Sequence, residues 1–148
     1  MGSSRLLAIA AIVGVAVLGG CSADVPAANT LPDGEYEGVS QKEADGSYGT
    51  VNFTISGGKV TKANFLVKDA DGTPHDEDYG LGTDGKAHDP IFYQRAQDAI
   101  KHEKSYVQKF QETSDQNQVE RIAGGSLSHR LFMQAVEDAV LNLSLIHI

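Results

Sequence analysis

The sequence predicts a small α+β domain: an antiparallel meander packed with two or three helices. Three observations carry this. Tyr48 to Ile55 alternates strictly, with Val51, Phe53 and Ile55 on one face and Thr50, Asn52 and Thr54 on the other, which is the pattern of a half-buried strand. Gly57-Gly58 follows at once and signals a tight hairpin. The C-terminal third carries apolar residues at helical spacing, such as Phe132, Val136, Ala139, Val140 and Leu143.

Each element follows in order. Pro32-Asp33-Gly34 is a turn, and Glu35 to Ser40 is a short strand with Tyr36 as its one large residue. Ala44-Asp45-Gly46-Ser47 turns the chain into the alternating strand. Val60 to Asp69 returns, with Ala63, Phe65 and Val67 on one face. Val60 lies off that parity, which predicts a bulge near Thr61-Lys62. Lys68 to Pro90 is a long polar connection rich in Asp and Gly. It lacks the ligand spacing of a calcium loop, and no metal is expected. His75 and His88 are read as solvated loop histidines. Tyr79 is its aromatic spot, a ring placed either to cover a planar ligand or to pin the loop.

Asp89-Pro90 opens a helix as N-cap and first helical residue. Phe92, Ala96, Ala99, Ile100, Val107 and Phe110 mark its face, with a break expected across the polar Lys101 to Ser105. Gln111 to Gln118 has no apolar residue and reads as a loop. The stretch Glu120-Arg121-Ile122-Ala123-Gly124-Gly125-Ser126-Leu127-Ser128 then leads into the last helix, with Ser128 as the expected N-cap. Glycines permit close backbone approach, Ser126 offers a hydroxyl, and a helix start presents free N–H groups to an anion such as phosphate.

The ends are different in kind. Of the 148 residues, 1–20 read as a signal peptide, with Arg5 followed by an apolar run from Leu6 to Leu18. Leu18-Gly19-Gly20-Cys21 resembles a bacterial lipobox, which makes Cys21 the acylated N-terminus of the mature chain. Residues 21–31 would be the lipidated cysteine and a tether, and 32–142 the domain. Cys21 is the single cysteine, so neither an intramolecular disulfide nor a thiolate cluster can form. Leu143 to Ile148 resembles the translated mosaic end of a sequencing transposon, and His147 is given no role. Without residues 1–20 the chain has 11 basic side chains against 20 acidic ones, a balance that argues against nucleic acid as a partner.

Asp33-Gly34-Glu35-Tyr36-Glu37-Gly38, Tyr48-Gly49-Thr50-Val51 and Gly57-Gly58-Lys59-Val60 resemble the FMN-binding domain family, whose pattern opens with Asp-Gly-x-Tyr-x-Gly. The likeness runs from about Asp33 to Leu141. Asp76-Glu77-Asp78-Tyr79-Gly80 is similar to a segment of its lipoprotein branch, which includes extracellular electron-transfer proteins and major membrane immunogens. Glu120 to Ser126 falls where the family carries Asp-x-x-Ser/Thr-Gly-Ala-Thr/Ser. Here Glu120 stands for Asp, Ala123 for Ser/Thr, Gly125 for Ala, and Ser126 for the commoner Thr.

The resemblance implies an FMN-carrying domain at the extracytoplasmic face of a bacterial membrane, more an electron carrier than a stand-alone enzyme. FMN would be held non-covalently or through a phosphodiester to Ser126. Ala123, Gly124, Gly125, Leu127 and Ser128 would surround the phosphate, Glu120 would orient the turn, and Tyr79 would cover the ring system. Arg121 or His129 would add positive charge. The implied partners are a flavin transferase, a membrane redox protein and, through acylated Cys21, the membrane itself. The alternative is a surface lipoprotein, a binding module or immunogen, that keeps the fold without the flavin.

Overall fold

The computed structural model describes residues 25–142. The signal sequence, Cys21 and the 143–148 tail lie outside the described residues. Three strands form one antiparallel sheet in the order β1-β2-β3: β1 is Gly34–Val39, β2 is Tyr48–Ser56 and β3 is Lys59–Lys68. Two helices follow, α1 over Pro90–Thr113 and α2 over Ser126–Leu141. This is the expected α+β meander, with α1 packed on β3 and α2 on β1 and β2. The β2–β3 register shifts at Thr54/Ile55, so that Ile55 faces Val60 while Thr54 faces Lys62. Thr61 is the extra residue, and the bulge turns Val60 back into the core.

The inward faces of the strands and helices meet in an aromatic core. Phe53 of β2 meets Phe110 of α1 edge-on at 5.2 Å, Phe65 of β3 meets Phe132 of α2 at 5.4 Å, and Phe110 meets Phe132 at 5.5 Å. Four rings thus join the sheet to both helices, each pair adding about 1 kcal/mol beyond its burial.

The opening Asp33-Gly34-Glu35-Tyr36-Glu37-Gly38 stretch has a structural role. Asp33 accepts from the Gly57 N–H at 2.8 Å and ties the β2–β3 hairpin to the start of β1. Tyr36 is fully buried, stacks on Phe53, and donates its hydroxyl to the Pro32 carbonyl at 2.6 Å. At Gly38 a Cβ would lie 1.9 Å from the Ala135 carbonyl oxygen. Only a residue without a side chain lets the α2 backbone sit this close to β1. Asp138 and Gln134 of α2 then accept from the Val39 and Gln41 N–H groups along that edge.

Three expectations are corrected. Helix α1 runs unbroken through Lys101 to Ser105, because the polar side chains divide by face: Lys101, Lys104 and Ser105 are exposed while Glu103 is buried. It also continues to Thr113, into the stretch expected as loop, and ends at Ser114 with φ 55°. Gln116–Gln118 adds a short 3-10 turn. Finally, the described part of the expected tether, Val25–Leu31, belongs to the fold. Ala28 and Leu31 are buried, and the buried Gln116 amide holds this segment at Ala28 and Pro26. The Asp89 cap of α1 forms as expected, its carboxylate accepting from Phe92 N–H.

The α1–α2 contact contains one buried carboxyl. Glu103 is 4% exposed and accepts from the Ser128 hydroxyl at 3.1 Å. Burial pushes its pKa up to about 7, and the hydrogen bond from Ser128 opposes this only in part.

Two outcomes follow. Gly38→Ala should lower the unfolding free energy by about 3 kcal/mol in urea titration, because two backbones must part; unchanged stability would mean that α2 is not seated on β1. For Glu103, the folded pKa of about 7 exceeds the ordinary 4.5. The folded state therefore holds the proton more tightly, and stability falls as pH rises between those values, by about 3 kcal/mol in all. Glu103→Gln should remove that slope, and a slope identical to the parent's would contradict the assignment.

Candidate functional site

The Gly-Gly-Ser turn sits where α2 begins. Gly124 has φ 84°, a left-handed conformation that suits glycine. Gly125 N–H donates to the Ile122 carbonyl at 2.8 Å, and His129 N–H closes the first helical bond onto the Gly125 carbonyl at 3.0 Å. The amides of Ser126, Leu127 and Ser128 therefore precede the helix's first intrahelical bond. Ser126 is the first helical residue and is exposed. Among the described residues its hydroxyl has no hydrogen-bond partner.

Tyr106 of α1 braces this turn. It is 1% exposed. Its hydroxyl donates to the Gly125 carbonyl at 2.8 Å and accepts from the Ile122 N–H at 3.0 Å. The two ends of the turn are thus tied to a single oxygen. Gly125 is fitted to that brace: a Cβ there would lie 2.7 Å from the Tyr106 oxygen and 2.9 Å from His102 Cγ. The absence of a side chain at Gly125 leaves room for these two α1 side chains.

His102, Glu103 and Tyr106 were not among the sequence-predicted residues. Their signal was the helical spacing of 102, 103 and 106 toward Phe110, hidden by the charged residues between them.

The other predicted residues sort by contact. Ser128 is not the N-cap, which is Gly125. It lies inside the first turn of α2, with its hydroxyl committed to Glu103. His129 places Nε2 2.7 Å from the Val119 carbonyl. A carbonyl only accepts, so Nε2 carries the hydrogen and this side chain ties the first turn of α2 to the preceding loop. Ala123 and Arg121 are exposed, and Leu127 is 48% exposed beside Ser126.

Glu120 is exposed and borders a cleft of about 610 Å³ that it shares with Tyr106, Lys109, Asn117, Gln118 and Ile122. That volume falls within the range of small-molecule sites. The cleft adjoins the turn through Ile122 and Tyr106.

Tyr79 belongs to a different cluster. Its hydroxyl and His75 Nε2 both meet Asp69 Oδ1, at 3.0 and 2.8 Å, and the two rings stack at 3.8 Å. Burial and Asp69 push its hydroxyl pKa up to about 12. Tyr79 also leans on Phe92 at the start of α1. The ring holds the long loop to Asp69 at the loop's start and to the start of α1. Among the described residues, no group of three or more His, Cys, Asp or Glu side chains converges as a metal site.

The first-turn amides of α2, at the positive end of the helix dipole, are chemically suited to an anion, and the cleft adjoins them. A model of the FMN-binding domain matches residues 46–141. Among solved structures, the CPE2226 protein from Clostridium perfringens is similar over 78% of this chain and 90% of that one, with TM-score 0.58 and 19% identity. At that identity the likeness speaks for the fold. No match is found among curated proteins. The match spans most of the chain, from the first turn of the sheet to the end of α2, and on it the chain belongs to the FMN-binding domain family, with FMN as its cofactor.

Proposed function

We propose that the protein is a lipid-anchored electron carrier at the extracytoplasmic face of a bacterial membrane, with FMN attached through its phosphate to Ser126. The observation that carries this is the exposed, unpartnered Ser126 hydroxyl on the first residue of α2. The amides of Ser126, Leu127 and Ser128 would hold the phosphate, favoured by the positive end of the helix dipole. Gly124 and Gly125 keep side chains out of its way. Tyr106 fixes the turn, and the adjoining cleft bordered by Glu120 and Lys109 receives part of the cofactor. FMN supplies the redox chemistry, while the chain sets its position and surroundings.

No described side chain hydrogen-bonds Ser126, so its activation falls to a separate flavin transferase. With FAD as donor, a phosphoester to Ser126 Oγ forms as the FAD pyrophosphate bond breaks and AMP leaves. The hydroxyl proton passes to the transferase. The lipobox at Leu18 to Cys21 supports anchoring through acylated Cys21. A second reading, FMN held without the covalent bond, is favoured by Ala123, which offers no hydroxyl where the resembled motif has one.

Ser126→Ala, co-expressed with a flavin transferase, should lose all flavin that survives denaturation, and Ser126→Thr should keep it. Unchanged flavin in the alanine variant would exclude Ser126 as the attachment point. Flavin lost from the parent protein on denaturation would favour the second reading. Tyr106→Phe removes both hydrogen bonds of the brace and should cost about 2 kcal/mol in a denaturant titration. It should also reduce the fraction of flavin-loaded protein. Lost stability at full loading would show that the brace serves the fold alone.

A further inference from the structure

The docked N-terminal segment gives the domain an orientation. Gln116 is 2% exposed. Its Oε1 accepts from Ala28 N–H at 2.9 Å and its Nε2 donates to the Pro26 carbonyl at 2.8 Å. Ala28 is wholly buried, and Val25 packs against the core. The next residues after Gln116 line the cleft: Asn117, Gln118 and Glu120. The docked segment therefore joins the domain at Gln116, the residue that immediately precedes this cleft-lining stretch.

Cys21 precedes Val25 by four Cα steps, a reach of at most about 14 Å. The Ala44-Asp45-Gly46 turn lies at the other end of the sheet, because β2 runs from Tyr48 beside it to Ser56 beside Gly57-Gly58. The docked segment is at the Gly58 end, where Asn29 O approaches Gly58. The nine residues of β2 span roughly 30 Å.

We propose that the face formed by Val25–Leu31 and Gln116–Glu120 is a membrane-facing surface, held against lipid headgroups by acyl chains on Cys21, with the cleft opening beside the bilayer. The proposal rests on the lipid-anchor reading above and is independent of flavin attachment. A domain turned end over end would carry Val25 about 30 Å from the surface, twice what the linker can reach. A flexible tether through Leu31 would permit that inversion, whereas docking at Gln116 forbids it. The acidic balance of the chain offers no general attraction to anionic headgroups, so the short link is what sets the face. A redox partner within the membrane would then reach the cleft without the domain turning over.

The test uses the full-length protein purified from bacterial membranes and placed in phosphatidylcholine–phosphatidylglycerol vesicles containing a nitroxide-headgroup lipid. A fluorophore is attached at Asn29→Cys or at Ala44→Cys, both exposed positions. Asn29 should be quenched severalfold more than Ala44. A flexible Gly/Ser insertion of about twelve residues between Ser22 and Ala23 should abolish most of that difference, because it lengthens the link without touching the domain.

Equal quenching of the two sites, in protein whose mass shows acylated Cys21, would overturn the orientation alone. A mass without acyl chains would overturn the anchor and the orientation with it. Flavin content measured on the same samples reports separately on attachment, and the quenching pattern should be the same with or without flavin.

Discussion

The seating of α2 on the sheet is the constraint from which the rest of the domain follows. At Gly38 the helix backbone comes so near β1 that no Cβ fits between them. This contact, with Leu131, Phe132, Ala135, Val136, Ala139 and Val140 buried behind it, fixes the axis of α2 and hence where its N-terminus emerges. The Tyr106 hydroxyl then fixes the turn leading into that N-terminus by bonding both Ile122 and Gly125. An exposed hydroxyl and a set of open amides are thereby presented from a rigid base. For FMN, whose redox chemistry is its own, position is most of what the protein contributes.

The same packing explains departures in the turn. Gly125 is the residue that admits Tyr106 and His102, so the turn and α1 are matched to one another. Ser128 is drawn inward to satisfy Glu103, a carboxyl that would otherwise be buried without a hydrogen bond. Ser126, two residues earlier on the helix, remains on the outside. One short segment thus holds a structural serine and an available one, separated by the angle of the helix.

Much of the fold was legible because its signals are local. Alternation in Tyr48 to Ile55, the Gly57-Gly58 turn, the off-parity Val60 and the Asp89-Pro90 cap each arise from neighbouring residues. The less legible features depend on contacts distant in the chain. Glu103 and Tyr106 look like part of a polar stretch until α2 is laid across them. Gln116 reads as loop until Pro26 and Ala28 are brought to it, 90 and 88 residues away in sequence. Ser128 has the chemistry of a cap and the spacing of a buried partner, and only the placement of α1 decides between them. The glycines and serine of the turn could be read from the sequence, while the groups that brace the turn came from the tertiary structure.

The central claim is that FMN is joined to Ser126. It is tested most directly by intact mass and peptide mapping of the mature protein, co-expressed with a flavin transferase and then denatured. The account predicts yellow colour that survives denaturation and a mass increase of one esterified FMN on the peptide containing Ser126. Colour lost on denaturation, an adduct on another residue, or an unmodified mass would contradict it.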